Sequence, residues 1–460
     1  MDRLHVVSYY LYTIVVGLAI VLVLIHMLYQ RRSPSSIVAW LLSIIFLPYV
    51  AIPLYLIFGS RKLRERKKSF IIMDDDTSYE CESEPAVASI LKGNGIPPPT
   101  CHNSFELFTD GVSAYQVIME HIEKATQSIY IGTYIMEYDQ ATKKLFKLLV
   151  QKAKSGVDVK LLLDSVGSYK LYLSKRRLKK LRASGIDISF FSPIFTIPPN
   201  SYINLRNHRK IYIFDKETVL SGGMNLSKEY ISPKPSPYLQ EDLLFKLRGA
   251  SVLHYLEVFA SDWEFASGKK LDISSNIERR VGTQILQVVP SGPDLDGDAL
   301  FEALMVAIYA AQKRIWIVTP YFAPDSSLMR ALLIAKRRSV DVKLITPLES
   351  DHIIADLTRS SYMRELEENG VHVALYSSKM LHAKAILFDD SSVMVGSPNF
   401  DNRSLFLNYE IASFAYSKET IKAVEAWMLK LLANSTQSMP PASRYRQAAE
   451  NFMRIFAPQI

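Results

Sequence analysis

A chain of 460 residues that is 48% hydrophobic and 22% charged, with only 18 glycines, folds into two or three domains, which excludes a disordered or low-complexity protein. Its two cysteines, Cys81 and Cys101, form no C-x-x-C pair, which excludes a thiolate zinc site and a disulfide framework; free thiols in a reducing compartment are expected, with a single bridge as the alternative. The net charge of +8 is not that of a nucleic-acid binder, because residues 1–70 hold nine Lys/Arg against two acids and leave +1 for the rest.

Val6 to Leu28 is an uncharged run of 23 residues, and about 20 suffice to cross a bilayer. A secretory signal peptide has a shorter apolar region of roughly 7–15 residues and a small-residue cleavage site. Here the run ends in Met27-Leu28-Tyr29-Gln30-Arg31-Arg32, so an uncleaved helix is expected. Ile37 to Phe58 is a second uncharged run, of 22 residues, carrying Pro48 and Pro53. Membrane helices tolerate such kinks, and a re-entrant segment is the alternative. The connecting stretch carries two arginines and Arg61–Lys68 carries six basic residues. Residues 1–60 are thus expected to be a transmembrane hairpin, with the N-terminus and everything after Phe58 on the cytoplasmic side of the cell membrane. The basic cluster would lie against anionic headgroups. Residues 61–103 read as a juxtamembrane segment and linker, with Asp74-Asp75-Asp76 and Pro97-Pro98-Pro99 in it.

The body from Ser104 is internally repeated. Val157-Asp158-Val159-Lys160-Leu161 recurs as Val340-Asp341-Val342-Lys343-Leu344. Ser128-Ile129-Tyr130-Ile131 resembles Arg314-Ile315-Trp316-Ile317, and Gly185-Ile186-Asp187-Ile188 resembles Gly370-Val371-His372-Val373. The offsets of 183, 186 and 185 residues describe a duplicated domain. Short β-branched strands alternate with helical stretches such as Leu145–Lys154 and Ser327–Arg337, which implies an α/β fold with a mixed sheet flanked by helices. The halves are expected at 104–275 and 276–460.

One pattern occurs once in each half. His208, Lys210 and Asp215 follow H-x-K-x4-D, and His382, Lys384 and Asp389 repeat it. Asn225 and Asn399 each follow their histidine by 17 residues, after Gly222-Gly223 and Gly396-Ser397. The segments after each histidine read as buried strands, so His and Lys at i and i+2 project to one face. With the small residues and the asparagine they form a cup for an anion, the small residues admitting close backbone approach. A lone H-x-K is uninformative; two extended copies inside a repeat are not coincidence. Asp215 and Asp389, the last members of the catalytic pattern, have odd spacing from their lysines and read as salt-bridge partners at the strand end.

This duplicated pattern resembles the phospholipase D superfamily, and with the hairpin and linker the whole chain is similar to bacterial cardiolipin synthases. The likeness includes Asp110-Gly111, Tyr134-Ile135, Thr319-Pro320-Tyr321-Phe322, Phe400-Asp401-Asn402-Arg403-Ser404 and Arg454-Ile455-Phe456-Ala457-Pro458. One departure is Arg338-Ser339-Val340, where the family usually has glycine before valine. The resemblance implies two pseudo-symmetric phospholipase D-type domains and a two-step phosphatidyl transfer through a phosphohistidine, with phosphatidylglycerol and anionic membrane lipid as partners, no cofactor, no metal and no nucleic acid. It implies His208 as nucleophile, His382 as general acid and base, and Lys210, Lys384, Asn225 and Asn399 as phosphate holders. Family pattern and repeat alignment point to Asp242 and Glu410 as the groups that orient the histidines. A phospholipase D-type hydrolase, a phosphatidylserine synthase, a tethered nuclease and an inactive scaffold are the alternatives. Phe190–Pro199, with three prolines among apolar residues, reads either as a loop dipping into the membrane interface or as interior packing.

Overall fold

The computed structural model describes residues 3–29, 34–58, 86–194, 204–274 and 277–459. The chain divides into a small N-terminal unit and a large body.

The N-terminal unit holds α1 (Arg3–Tyr29), α2 (Pro34–Phe46) and α3 (Pro48–Phe58). Val23, Met27, Ile44, Ala51 and Tyr55 are buried among them, and His26 Nδ1 lies 2.7 Å from the Tyr55 hydroxyl. The second uncharged run is not one helix but two, of 13 and 11 residues, divided at Leu47. Pro48 opens α3, where its missing N–H costs nothing. Among the described residues no helix is long and apolar enough to cross a membrane, so the expected spanning hairpin is not shown.

The body is built on one mixed sheet. Its first strands are β1 (Thr100–Phe108), β2 (Ser128–Thr133), β3 (Asp158–Asp164), β4 (Asp187–Phe191), β5 (Ile211–Phe214), β6 (Thr218–Gly222) and β7 (Leu244–Arg248). The later ones are β8 (Gln284–Ser291), β9 (Arg314–Val318), β11 (Asp341–Pro347), β12 (His372–Tyr376), β13 (Ala385–Phe388), β14 (Ser392–Gly396), β16 (Glu410–Ala415) and β17 (Ser435–Thr436), while β10 (Phe322–Ala323) and β15 (Phe400–Asp401) pair in parallel as a separate two-stranded sheet. From its centre outward one wing runs β1-β7-β6-β5-β2-β3-β4 and the other β8-β16-β14-β13-β9-β11-β12. The two wings repeat one strand order, and antiparallel pairing of β1 with β8 joins them. Duplication is thus visible as topology. Within each wing the outer strands are parallel and the inner ones antiparallel.

Helices cover the sheet: α4 (Ala86–Gly93), α5 (Gly111–Lys124), α6 (Lys143–Lys154), α7 (Tyr169–Tyr172), α8 (Lys175–Arg182) and α9 (Ser251–Ser267), then α10 (Ala299–Ala310), α11 (Ser326–Arg337), α12 (Ile353–Glu368), α13 (Asn402–Phe406), α14 (Lys418–Ala433) and α15 (Arg444–Met453). Two apolar cores form, one per wing, each mixing strand and helix residues at period 2 and period 3.6. α4 lies in the segment read as linker, yet its Val87 and Leu91 are buried in the second core. Cys101 in β1 is disulfide-bonded and no described cysteine is free, which corrects the expected free thiols. Residue spacing does not reveal which thiols meet in space.

Ser339 adopts φ +65, where its repeat counterpart Gly156 has φ +94. The residue before the repeated valine therefore sits in the left-handed region that glycine enters without strain. Arg338 secures the turn by donating to the Tyr309 and Ala311 carbonyls at 2.8 and 3.1 Å. Phe190 and Phe191 are buried on β4, Phe191 against Phe265 and Tyr409. Interior packing is the outcome for these two, and residues 195–199 of the proposed loop lie outside the described residues.

Candidate active site

Each histidine stands on the segment that leads into a buried hairpin strand, His208 before β5 and His382 before β13. Backbone bonds dock each segment on the other wing. The His208 N–H donates to the Tyr409 carbonyl at 2.9 Å, and the His382 N–H donates to the Glu241 carbonyl at 2.7 Å. This places the carboxylate that follows each acceptor beside the opposite ring. His208 Nδ1 lies 3.0 Å from Glu410, and His382 Nδ1 lies 2.7 Å from Asp242. The two expected orienting residues are therefore exchanged between the halves. Both carboxyls are held below their ordinary range: burial pushes them up, but the histidine beside each and the nearby lysines outweigh it. A carboxylate there accepts from Nδ1–H and leaves Nε2 as the reactive nitrogen.

Of the motif's small residues, Gly223 and Ser397 serve these carboxylates, whereas Gly222 and Gly396 admit the backbone of the neighbouring strand at Leu243 and Ile411. A Cβ on Gly223 would lie 2.2 Å from Asp242 Oδ1, so only glycine admits the carboxylate at that position. In the second copy Ser397 takes the equivalent place and donates to Glu410 Oε2 at 2.5 Å. At Gly223 and Ser397 the close approach expected of a bound anion is thus made by a carboxylate of the chain itself.

His208, His382, Asn225 and Asn399 line one cavity of about 330 Å³. Lys210 and Lys384 are fully buried and are not among the residues that line it, but both ammonium groups contact the histidines that do. Lys210 Nζ donates to the His208 carbonyl at 2.8 Å, and Lys384 Nζ sits 2.8 and 3.0 Å from the two ring nitrogens of His382. Asn225 Oδ1 accepts from the Ile135 N–H at 3.1 Å, which leaves its NH₂ as the donor. Burial lowers both histidines to about 4, the opposing carboxylates notwithstanding, so both rings are neutral in the free site. Burial likewise lowers Lys384 to about 8 and Lys210 well below its ordinary value.

Asp215 and Asp389 are not among the residues that line the cavity. Asp215 accepts from the backbone N–H groups of Thr126, Gln127 and Ser128 at 2.7–3.1 Å, and Asp389 from those of Gln312, Lys313 and Arg314 at 2.8–2.9 Å. They anchor the entries to β2 and β9. Each turns at φ near +50 toward a row of backbone N–H groups, so among the described residues their partners are backbone donors and not the basic side chains expected.

Other residues complete the site. Tyr134 meets the His208 ring edge-on and Tyr230 meets His382 likewise, centroids 5.0 Å apart in each case. Arg206, Tyr321, Asp351, Asp401 and Arg403 also line the cavity. Arg206 sits two residues before His208, so the parity that grouped His208 with Lys210 could have found it. Asp401 caps α13 by accepting from the Ser404 N–H at 2.7 Å, and burial pushes its carboxyl up to about 7. Nothing in the spacing marks Tyr230. Arg209, of opposite parity, leaves the cavity for Asp262 at 2.7 Å and the carbonyls of Glu410 and Ser291 at 2.9 and 3.0 Å.

Residues 118–263 and 304–432 match the family described as "Cardiolipin synthase, PLD-like domain", and residues 18–60 match "Phospholipase_D-nuclease N-terminal". A cardiolipin synthase of Clostridium perfringens SM101 is 33% identical, covering 93% of this chain and 95% of its own. Cardiolipin synthase 1 of Bacillus cereus ATCC 14579 is 31% identical over 94% and 90%. Among solved structures, the phosphatidylserine synthase of Haemophilus influenzae Rd KW20 superposes with a TM-score of 0.59 at 15% identity, covering 81% of this chain and 97% of that one, which shows a shared fold.

Proposed function

Because the chain belongs to the cardiolipin synthase family of phospholipase D-like proteins, we propose that it condenses two phosphatidylglycerol molecules into cardiolipin and releases glycerol. It is a membrane-associated phosphatidyltransferase. The observation that carries this reading is that two histidines 174 residues apart line one cavity, each bound at Nδ1 by a carboxylate from the opposite half.

In the first step His208 Nε2 attacks phosphorus and the bond to the departing glycerol oxygen breaks. His382 supplies that oxygen's proton. An anionic phosphodiester in the cavity raises the imidazolium pKa from its depressed value, so His382 takes up its proton as substrate binds. In the second step neutral His382 removes the proton from the terminal hydroxyl of another phosphatidylglycerol. That oxygen attacks phosphorus and the P–N bond breaks, regenerating His208. Lys210, Lys384, Asn225 and Asn399 hold the non-bridging oxygens and offset their growing charge.

The domains divide at 104–275 and 276–460, after a membrane hairpin of residues 1–60. Exposed Leu11, Ile14, Leu18, Leu22 and Ile25 on α1, with Ile45, Phe46 and Val50 on α2 and α3, support a lipid-facing hairpin. The basic residues after Phe58 support a body on the cytoplasmic side. Protease protection of the body in right-side-out vesicles is the expected result; digestion, as the disulfide at Cys101 would suggest, overturns that orientation.

The chemistry is tested by incubating purified protein with labelled phosphatidylglycerol alone. Cardiolipin and glycerol are the expected products, and phosphatidic acid as sole product sinks the proposal.

A further inference from the structure

α6 carries five basic residues and α8 six, with no acid in either. Residues 143–182 hold thirteen Lys/Arg against two acids, a net +11, whereas residues 71–460 together net only +1. The rest of that stretch therefore sums to −10, and the body is strongly polarised. The two helices border a groove of about 900 Å³ lined by Lys143, Lys144, Lys147, Arg176, Arg177 and Lys180, and no acid lines it among the described residues.

Folding does not demand this charge. α8 buries only Leu178 and Leu181, and Lys175/Lys179 and Arg176/Lys180 are like-charge i,i+4 pairs, which destabilise a helix. α11, which takes the place of α6 in the other wing, has three basic residues, and α12, which takes the place of α8, has four acids. The same fold is built there without the charge.

Apolar side chains stand beside the basic ones. Val166, Tyr169 and Leu173, from the turn and short helix that lead into α8, are 38%, 50% and 59% exposed. The face is also close to the catalytic cavity: Ile135 lines the cavity and Tyr138 the groove, and three residues of chain span at most about 11 Å.

We propose that the α6–α8 face is a docking surface for the anionic phospholipid headgroups of a bilayer. Lysine and arginine pair with lipid phosphates while Leu173, Val166 and Tyr169 enter the interfacial layer, and the cavity mouth is held where substrate lipids lie. A nucleic-acid backbone would satisfy the charges but leave those apolar side chains in water. The inference rests on membrane association but not on the transfer chemistry.

The test uses the full chain in nanodiscs of phosphatidylcholine with or without phosphatidylserine, an anionic lipid distinct from the substrate. Amide hydrogen exchange should slow in α6 and α8 only when phosphatidylserine is present, and the protection should vanish near ~0.5 M salt. Each basic residue near an anionic surface contributes roughly fivefold. The quadruple variant Lys143→Gln, Lys144→Gln, Arg176→Gln, Lys180→Gln should therefore lose the protection and at least about tenfold of its activity on nanodisc phosphatidylglycerol. Its activity on detergent-dispersed short-chain phosphatidylglycerol should persist. If no chain, native or variant, transfers on the short-chain substrate, the chemistry is misread, whereas the exchange comparison still judges the surface. Leu173→Asp provides a second variant that keeps every charge and should weaken protection by phosphatidylserine. Equal exchange in both nanodiscs, or protection by an added oligonucleotide but not by phosphatidylserine, overturns the proposal.

Discussion

Glu410, from the second half, accepts a hydrogen bond from Nδ1 of His208 in the first half, 3.0 Å away. The mirror relation, Asp242 with His382 at 2.7 Å, means that neither half contains a complete site. Glu410→Gln keeps the shape but presents an amide that favours the wrong tautomer. It should lower kcat by roughly 10²–10⁴-fold with little change in KM, by analogy with loss of the orienting carboxylate in a triad. Asp242→Asn should do the same. A p-nitrophenyl phosphodiester, whose leaving group needs no proton, separates the two roles in stopped-flow measurements. Asp242→Asn should retain the burst of p-nitrophenol that Glu410→Gln loses. The reverse pattern assigns the attack on phosphorus to His382.

The exchange of carboxylates explains what the sequence could and could not disclose. Parity along a strand was enough to group His208 with Lys210, and the family resemblance together with the repeat alignment picked out Asp242 and Glu410. Which carboxylate serves which histidine depends on the parallel bridges Asn207–Tyr409 and Glu241–Leu381. Those bridges join residues about two hundred or more positions apart in one case and 140 in the other, so no local pattern encodes them. Gly223 shows the same limit. Its smallness was legible, but its reason is a carboxylate 19 residues further on that fills the space where a Cβ would stand. Tyr134 stood in the family likeness without a role, and Tyr230 gave no signal, because a ring edge against an imidazole can be supplied from any neighbouring loop.

The pH profile follows from burial. His208 and His382 are both lowered to about 4 and Lys384 to about 8. The first step needs His208 neutral and His382 protonated, so kcat/KM should peak near pH 4, fall about tenfold per unit above it as the free site must take up a proton, and fall more steeply above about pH 8 as Lys384 loses its charge. Stability should move in a defined direction as well. The unfolded histidines, with pKa about 6.5, take up protons before the buried ones, so stability present above that pH is lost as it falls from about 6.5 to 4. Chemical denaturation at a series of pH values checks the second limb independently of activity.

Asp401 faces the same cavity with its carboxyl pushed up to about 7 by burial. Above that pH it is charged and opposes an anionic substrate; below it is neutral. KM for phosphatidylglycerol should rise between about pH 7 and 8.5 in the native enzyme. In Asp401→Asn, whose side-chain oxygen can still cap α13 at Ser404, the rise that begins near pH 7 should be lost, leaving only the later one near pH 8 where Lys384 loses its charge. An unchanged pH dependence in the variant would place the controlling ionisation on another group.

Asp215 and Asp389 separate a motif position from a catalytic one. Each accepts from three consecutive backbone N–H groups at a strand entry outside the cavity. Removing the carboxylate strands those donors, at about 1–3 kcal/mol for the first left unsatisfied and less where water reaches the half-buried site. Asp215→Ala and Asp389→Ala should thus lower the thermal midpoint by several degrees, since about 1 kcal/mol moves a domain of this size by roughly 2–4 °C. Asp→Asn keeps one acceptor oxygen and should recover part of the loss. At a temperature where the variants remain folded, kcat should stay within about tenfold of native, whereas His208→Ala and His382→Ala, which lose the nucleophile or the proton carrier, should fall by far more. The discriminating measurement is kcat at a fixed interval below each variant's own midpoint. A loss there equal to that of the histidine variants would return both aspartates to the chemistry and leave their backbone bonds as a secondary role.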